Sequence, residues 1–357
     1  MMKDSVDILV IGGGVIGALA ARRLVRTGAR IAVVDRARSD RQSSWAGAGL
    51  LSALPPWSGP EPVLQLVEAS ARAYPELCRA LFEATGVDPE LERRGVLWLD
   101  PDIEASAREL ARHGARWLSA GEALEVLPGV RRCHRALHLP RTATVRNPRL
   151  MQALHADLAR LGVAQVTGEV IGLTHADGLW QVRLADGAVE RAPRLLLAAG
   201  AWTSELLSML GYRLPVRPVR GQMLLMHAAE PLTGPVVLED DRYVVPRRDG
   251  HLLVGSTVEE VGFEACTTEA ALDELRQTFR HLLPGIDAVE VGAWAGLRPG
   301  SPEGIPFIGA VPGQEALFVC TGHYRMGLTM APASADLISD LILGASPPPE
   351  YALPTTA

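Results

Sequence analysis

Lysine is almost absent from this chain. Lys3 is the only one, and every other member of its 35 basic residues is arginine. No internal lysine can therefore form a Schiff base or serve a phosphate loop of the GK[ST] kind. Cysteine is scarce as well, with four scattered residues (Cys78, Cys133, Cys266 and Cys320) and no CxxC pair. This spacing excludes a disulfide framework and predicts reduced thiols.

Long apolar runs and basic blocks are also missing. No run approaches the roughly 18 residues of a membrane span, and the apolar run after MMKDS is too short for a signal peptide. The net charge is −6, which argues against a nucleic-acid partner. The CHRALH stretch has Cys133, His134 and His138 at metal-like spacing but lacks further nearby ligands, so we predict no metal site. We expect a cytoplasmic protein that binds neither membrane nor nucleic acid.

The clearest pattern lies in the first 35 residues. VDILVIGGG predicts a buried strand that ends in glycines, and VIGALAARRLVRTG has the apolar spacing of a helix that stops at Gly28. ARIAVVD predicts a second buried strand, which ends at Asp35. Together they predict a βαβ unit.

Within that unit, Gly12, Gly14 and Gly17 form G-x-G-x-x-G, and Asp35 ends the second strand. The glycines permit a tight turn, close approach to a pyrophosphate and helix packing, while the helix N-terminus attracts phosphate. The carboxylate accepts hydrogen bonds from ribose hydroxyls. Strand, helix, strand and acid in register predict a dinucleotide site, without distinguishing NAD from FAD.

The remaining pattern alternates between helices and β-rich blocks. Helices are expected over 61–84, 148–162, 268–283 and about 327–343. Two Asp-Gly pairs, Asp177-Gly178 and Asp186-Gly187, predict hairpins before the strand RLLLAAG. Residues 216–258 are β-rich, and ALFVCTG predicts a late strand. Because such blocks interrupt the nucleotide-binding pattern, the dinucleotide domain is expected to be discontinuous.

Arg298 stands alone in the apolar stretch WAGLRPGSPEGIPFIG. The nearest acid, Glu303, lies across a Pro/Gly turn, and arginine is rarely buried without an anion. Arg298 is therefore either a solvated loop residue or a partner for an anion from outside the chain.

Several separated motifs, in order along the whole chain, resemble the D-amino acid oxidase family of FAD-dependent oxidoreductases. They are the fingerprint, SSWAGAGLLS, RNPRL, AGAW, GQM, YVVPRRDGHLLVGST, WAGLRPGSPEGIPFIGAVPG and GHYRMGLTMAP. The likeness is strongest to the members that oxidise glycine for thiamine thiazole synthesis.

This resemblance implies an α/β (α+β) fold with two domains. A discontinuous Rossmann-like FAD-binding domain would comprise residues 1–84, 141–215 and 291–357. A substrate-binding domain with a large, mostly antiparallel sheet would comprise residues 85–140 and 216–290. The family also implies a homo-oligomer.

The resemblance further implies FAD, and it places residues of this chain around the cofactor. They are Gly12, Gly14, Val15, Ile16, Gly17, Asp35, Arg36, Ser43, Ser44, Ala46, Gly47, Gly49, Leu50, Val170, Gly200, Trp202, Arg298, His323, Tyr324, Arg325, Met326, Gly327 and Leu328. Related enzymes attach flavin through a cysteine in the arginine-turn region, which AGLRPG lacks, so FAD is expected to be noncovalent.

Three residues carry the implied catalysis. Arg298 and Tyr243 match the residues that hold the substrate carboxylate, and Arg325 matches a second arginine near the carboxylate and the flavin. Two departures from the family stand out. Asp35 replaces the usual glutamate at the ribose, and Met326 replaces a polar residue in GHYRNG, which leaves the substrate fit open.

The implied reaction is hydride transfer from a small amino acid to flavin, with molecular oxygen as the final acceptor. Glycine, or a small N-substituted glycine, would give glyoxylate, ammonia and hydrogen peroxide. Other interpretations stay open. They are an oxidase or dehydrogenase of a bulkier secondary amine, such as sarcosine or an N-carboxymethyl amino acid, an RNA-modifying flavoprotein, and a non-catalytic dinucleotide-binding subunit.

Overall fold

The computed structural model describes residues 6–36, 42–346 and 348–354. Its helices are α1 (Val15–Val25), α2 (Ser43–Ala46), α3 (Glu61–Thr85), α4 (Ala107–His113), α5 (Ala120–Val126), α6 (Asn147–Arg160), α7 (Thr203–Ser208), α8 (Glu269–Leu282) and α9 (Gly327–Ile342). Short 3-10 turns span Gly200–Trp202, Tyr324–Met326 and Pro349–Tyr351. Among these residues, no helix combines the length and apolarity that crossing a bilayer requires.

The strands are β1 (Ile8–Ile11), β2 (Ile31–Asp35), β3 (Leu50–Leu51), β4 (Val96–Leu99), β5 (Arg116–Ser119), β6 (Arg135–Leu139), β7 (Ala143–Thr144), β8 (Ala164–Thr167), β9 (Val170–Ala176), β10 (Leu179–Leu184), β11 (Val189–Ala192), β12 (Arg194–Leu197), β13 (Arg217–Ala228), β14 (Val236–Glu239), β15 (Arg242–Pro246), β16 (His251–Gly255), β17 (Ala288–Gly300), β18 (Phe307–Ala310) and β19 (Leu317–Thr321).

The first large sheet has the order β18-β19-β12-β1-β2-β8 and is parallel except at β18. Helices α1, α3, α6 and α9 pack on one face. The three-stranded sheet β11-β10-β9 packs on the other. Burial on both faces explains why β1 is apolar at every position. The predicted βαβ unit is confirmed.

The hairpins predicted at the two Asp-Gly pairs are also confirmed. β9 and β10 pair on either side of Asp177-Gly178, and β10 and β11 on either side of Asp186-Gly187. Asp177 and Gly178 have φ values of 53° and 72°. Two successive positive φ angles are typical of the type I′ turn that Asp-Gly favours.

The second large sheet has the order β17-β13-β16-β15-β14-β4-β6-β5 and is antiparallel except between β14 and β4. Helix α8 covers one face, because Leu272, Leu275, Phe279 and Leu282 recur on its buried side. The other face carries Trp98, Met223 and further apolar side chains, and it borders a cavity. The expected fold class, a Rossmann-like sheet beside a large, mostly antiparallel one, is confirmed.

Two details refine the sequence interpretation. Helix α3 runs unbroken through Pro75 over its 25 residues. Strand β17 pairs with β13 along its whole length, so it crosses the domain boundary expected between residues 290 and 291. The division of the chain into two domains stays a prediction.

Candidate active site

A cavity of about 790 Å³ extends from the carboxyl ends of β1 and β2 to the second large sheet. Both large sheets contribute to its walls, since Ile11 and Asp35 line one end and Met223 and Tyr243 the other. This position matches the general rule that ligands of parallel sheets bind beyond the carboxyl ends of the strands.

The turn from β1 into α1 forms the first wall, where Gly12, Gly14, Val15 and Ile16 line the cavity. Gly12 has φ +106°, and a Cβ atom there would lie 2.4 Å from the Ala198 carbonyl oxygen. Helix α1 has no capping side chain at its N-cap residue Gly14, and in its first turn Ser44 Oγ accepts only the N–H of Val15. Its first turn therefore offers backbone N–H groups and a partial positive charge to an anion.

Gly17 differs from the other fingerprint glycines because it does not line the cavity. A Cβ atom on Gly17 would lie 2.0 Å from the carbonyl oxygen of Gly12. Its lack of a side chain lets α1 pack against the turn, so this glycine supports the loop without facing a ligand.

Asp35 and Arg36 form the far end of the cavity. The Asp35 carboxylate accepts hydrogen bonds from the backbone N–H of Gly13 at 2.6 Å and from the side-chain amide of Gln42 at 2.7 Å. The Arg36 guanidinium lies 3.8 Å above the centre of the Trp202 ring. Val170 and Gly200 line this end as well.

The SSWAGAGL segment forms the wall between these ends, through Ser43, Ser44, Ala46, Gly47, Gly49 and Leu50. Ser44 Oγ accepts a hydrogen bond from the backbone N–H of Val15 at 3.0 Å. Gly49 has φ +75°, and a Cβ atom there would lie 1.9 Å from the Val145 carbonyl oxygen. The segment is thus held against both α1 and the chain before α6.

The start of α9 lies on the opposite wall, where His323, Tyr324, Arg325, Met326, Gly327 and Leu328 line the cavity. His323 is buried and its Nε2 is 3.0 Å from Ser334 Oγ. Burial lowers the pKa of His323 to about 3. The ring is therefore neutral near pH 7, a poor proton acceptor but a suitable wall beside an apolar ring.

Arg298, near the end of β17, contacts neutral oxygens. Its Nη1 donates to the backbone carbonyls of Arg220 at 3.3 Å and Thr257 at 3.1 Å, and its Nη2 donates to Ser256 Oγ at 2.8 Å. A guanidinium has five N–H donors. Within the described chain, the Nε donor and one Nη2 donor of Arg298 make no hydrogen bond.

The electrostatic state of Arg298 follows from this setting. Burial lowers its pKa, Tyr243 opposes that shift, and Arg325 adds to it. An arginine nevertheless stays protonated at physiological pH. The side chain lines the cavity and its hydrogen bonds bring no negative charge. Of the two sequence interpretations, the structure favours the one in which an external anion pairs with Arg298.

Tyr243 and Arg325 line the same cavity. Tyr243 lies on β15, and its hydroxyl contacts Met223 Sδ at 3.7 Å. Arg325 is exposed in the 3-10 turn before α9. The three residues predicted to carry catalysis therefore come together from three separate segments of the chain. Their roles stay predictions.

Sequence reasoning missed the residues that surround Arg298. Ser256 and Thr257 supply two of its hydrogen bonds, and Trp98 and Met223 line the cavity beside Tyr243. Ser256 and Thr257 end the motif YVVPRRDGHLLVGST. The sequence therefore identified the motif but did not predict that its last residues accept hydrogen bonds from Arg298. No group of three potential metal ligands occurs in the parts of the chain that the structure describes.

The donor set of the cavity fits FAD. A helix N-terminus with glycine at its N-cap, preceded by a glycine turn, suits a pyrophosphate, and the Asp35 carboxylate suits ribose hydroxyls. Small residues at 46, 47 and 49 and the start of α9 leave room for a flat ring. Arg298 and Tyr243 lie at the opposite end of the cavity from Asp35.

Comparison with known proteins gives the same result. The sequence model of the family described as FAD dependent oxidoreductase (DAO) matches residues 7–341. A glycine oxidase of Pseudomonas putida is 44% identical, with 96% of each chain covered. The crystal structure of glycine oxidase from Geobacillus kaustophilus has a TM-score of 0.90 at 29% identity, covering 98% of this chain and 99% of that one.

Iminodiacetate oxidase from Chelativorans sp. BNC1 is similar too, with a TM-score of 0.86 at 28% identity and coverage of 97% of this chain and 98% of that one. The family match spans nearly the whole chain, and the matched residues include every wall of the cavity. The chain belongs to the DAO family of FAD-dependent oxidoreductases and is an oxidoreductase that acts on amino groups.

Proposed function

We propose that this protein oxidises glycine, or a small N-substituted glycine, to glyoxylate with noncovalent FAD and molecular oxygen. The observation that carries the proposal is Arg298, a guanidinium that lines the cavity and, among the described residues, donates its hydrogen bonds to neutral oxygens only. A carboxylate is the anion that every amino acid brings, and guanidinium binds it with matching geometry.

The residues of the chain contribute by binding and orienting the substrate. Arg298 binds the substrate carboxylate, and the Tyr243 hydroxyl turns from Met223 to donate to the same group. Arg325, at the exposed side of the cavity, adds positive charge near that carboxylate. With the carboxylate fixed, the substrate Cα–H bond is held towards the ring-binding wall near α9.

When bound, FAD supplies the two-electron chemistry, accepting the Cα hydride and passing both electrons to oxygen, which becomes hydrogen peroxide. The neutral amine of the substrate loses a proton as the imine forms, and water then releases glyoxylate, together with ammonia from glycine or a primary amine from an N-substituted glycine. His323 is neutral and buried against Ser334, so we assign it no proton-transfer role. We place the imine, as an alternative to its hydrolysis, upstream of thiamine thiazole synthesis, on the resemblance to glycine-oxidising relatives.

A bulkier secondary amine is the second candidate. The similarity to iminodiacetate oxidase favours it, as does Met326, an apolar residue that lines the cavity beside Arg325. Sarcosine and N-carboxymethyl amino acids retain the carboxylate that Arg298 would bind, so both candidates use the same anchor.

Anaerobic reduction of the FAD-loaded protein separates these candidates. Glycine, sarcosine, D-alanine and iminodiacetate are added in turn, the flavin absorbance is followed, and air is then admitted while peroxide is assayed. Fastest bleaching by glycine with prompt peroxide formation supports the proposal. Faster bleaching by iminodiacetate or sarcosine supports the second candidate. Bleaching without prompt reoxidation would instead indicate a dehydrogenase with another acceptor.

A further inference from the structure

The Arg298 guanidinium lies flat against a glycine of the neighbouring strand. A Cβ atom built on Gly221 of β13 would lie 2.2 Å from Arg298 Nη2 and 2.3 Å from both Cζ and Nη1. Gly221 is buried in regular strand backbone, where other residues are allowed. A side chain at this position would therefore meet no forbidden backbone angle but would displace the Arg298 guanidinium.

The same strand supplies part of the hydrogen bonding of Arg298. The carbonyl of Arg220, directly before Gly221, accepts from Arg298 Nη1 at 3.3 Å. The other acceptors, Thr257 O and Ser256 Oγ, belong to the segment after β16, which runs antiparallel alongside β13. Gly221 thus forms the floor of a slot, and these three oxygens form its edge.

A partly buried ion pair fixes that edge. The Arg220 side chain donates to Glu259 Oε2 at 2.5 Å. Thr257 Oγ1 and Gln222 Nε2 donate to Glu259 Oε1 at 2.5 Å and 2.9 Å. Backbone hydrogen bonds between Arg220 and Glu259, at 2.8 and 3.0 Å, join the segment to β13.

This arrangement also separates charges. Glu259 is the carboxylate that lies behind the slot, and Arg220, Thr257 and Gln222 engage both of its oxygens. Arg220 is 4% exposed, and the half-buried carboxylate of Glu259 balances its charge. The charge of Arg298 is left for a ligand in the cavity.

We propose that Gly221 and the Arg220–Glu259 ion pair are positioning residues that set the plane and location of the Arg298 guanidinium for the substrate carboxylate. The inference rests on the proposed role of Arg298 as carboxylate anchor. Small misplacements of a binding group reduce catalysis strongly, so the slot determines how tightly carboxylates bind.

The test compares Gly221→Ala with Gly292→Ala in the FAD-loaded protein. Gly292 lies on β17, the strand that carries Arg298, but a Cβ atom there would have no neighbour within 4 Å among the described residues. Acetate, a carboxylate without an amine, is the binding probe and is titrated by calorimetry. Flavin content and the thermal midpoint are measured in parallel.

We expect Gly221→Ala to raise the acetate Kd and the glycine KM by about tenfold or more, because the guanidinium must move. The value of kcat should change by a smaller factor, and the flavin content should stay the same. Gly292→Ala should match the wild type. In an Arg298→Leu background, Gly221→Ala should change kcat/KM by less than about twofold, since the displaced group is gone.

Glu259→Gln provides a second variant that preserves side-chain volume if Gly221→Ala does not fold. It should raise the acetate Kd a few-fold with flavin content unchanged, because Arg220 loses its charged partner. Wild-type acetate affinity in either folded variant overturns the proposal, as does an equal loss in Gly292→Ala. Weaker acetate binding in Gly221→Ala, in a protein that glycine does not reduce, would retain the positioning role and reject glycine as substrate.

Discussion

The two ends of the cavity are built in different ways. At the pyrophosphate end, one turn lines the cavity through Gly12, Gly14, Val15 and Ile16, and backbone groups at the start of α1 act there. At the carboxylate end, Tyr243, Ser256, Arg298 and Arg325 come from separate segments, and side chains act. Cofactor binding is thus encoded locally, whereas substrate binding depends on the register of distant strands.

The largest effect should come from a substitution at the pyrophosphate end of the cavity, where it would abolish flavin binding. Gly12→Ala would place a Cβ atom 2.4 Å from the Ala198 carbonyl oxygen at φ +106°, so the turn must deform. We expect the purified variant to retain almost no flavin. Gly121→Ala is the matched control, because a Cβ atom there would meet no other atom within 4 Å in the described parts of the chain. Absorbance ratios of flavin to protein measure the outcome, and a yellow Gly12→Ala protein would contradict it.

At the other end, Arg298→Leu should leave the flavin bound but remove the carboxylate anchor. We expect kcat/KM for glycine to fall by about 10³, since loss of a charged hydrogen-bonded partner costs roughly 2–5 kcal/mol. Arg298→Lys should recover only part of that loss because an ammonium lacks the fork. Steady-state kinetics and flavin content together test this. Loss of flavin along with activity would show that the two ends are not independent.

Tyr243→Phe sharpens the comparison with a smaller change. The hydroxyl contacts only a thioether in the described part of the chain, so its removal leaves no strong donor unsatisfied there. We expect glycine kcat/KM to fall by about tenfold, corresponding to one hydrogen bond of 0.5–1.5 kcal/mol. An unchanged KM would argue that Tyr243 does not touch the carboxylate.

The smallest expected effect is on the free energy of unfolding, through His323 in the cavity wall before α9. Burial lowers the pKa of His323 to about 3, whereas an exposed histidine titrates near 6.5. As the pH falls through this window, the unfolded chain binds a proton that the folded chain does not. The free energy of unfolding should therefore decrease with acid, by up to about 1.4 kcal/mol per pH unit from this group.

His323→Gln tests that expectation because it removes the titrating ring and keeps a polar group for Ser334. Urea unfolding at pH 7, 6 and 5, at one fixed FAD concentration, gives the slope for both proteins. The variant should show the shallower slope below pH 6.5. Parallel slopes would mean that His323 is not neutral and buried in solution.

The features that could be predicted from the sequence follow the same difference between the pyrophosphate end and the carboxylate end of the cavity. The βαβ unit, both Asp-Gly hairpins and the Rossmann-like sheet were predictable, because apolar periodicity and turn residues act over a few positions. All of the predicted cofactor residues except Gly17 line one cavity. Gly17 belongs to the G-x-G-x-x-G motif because it lets α1 pack against the turn. The motif alone does not distinguish a glycine needed for packing from one that contacts a ligand.

The environment of Arg298 was not predictable in that way. Gly221 is adjacent to it only because β13 and β17 pair with Gly221 opposite Gly296 and Val219 opposite Arg298. A shift of one residue would turn every side chain to the other face. Motifs such as GQM and HLLVGST therefore marked positions without revealing that they meet around one guanidinium.

The topology of the first sheet also sets an order of events during synthesis. Strand β1, at residues 8–11, pairs with β12 at residues 194–197, which pairs with β19 at residues 317–321. A ribosome must therefore deliver more than 300 residues before the sheet beside the cofactor cavity can close. Such long-range pairing folds slowly and leaves apolar strands exposed in the meantime. Newly made chains of this protein should depend on protection from aggregation until the last strand emerges.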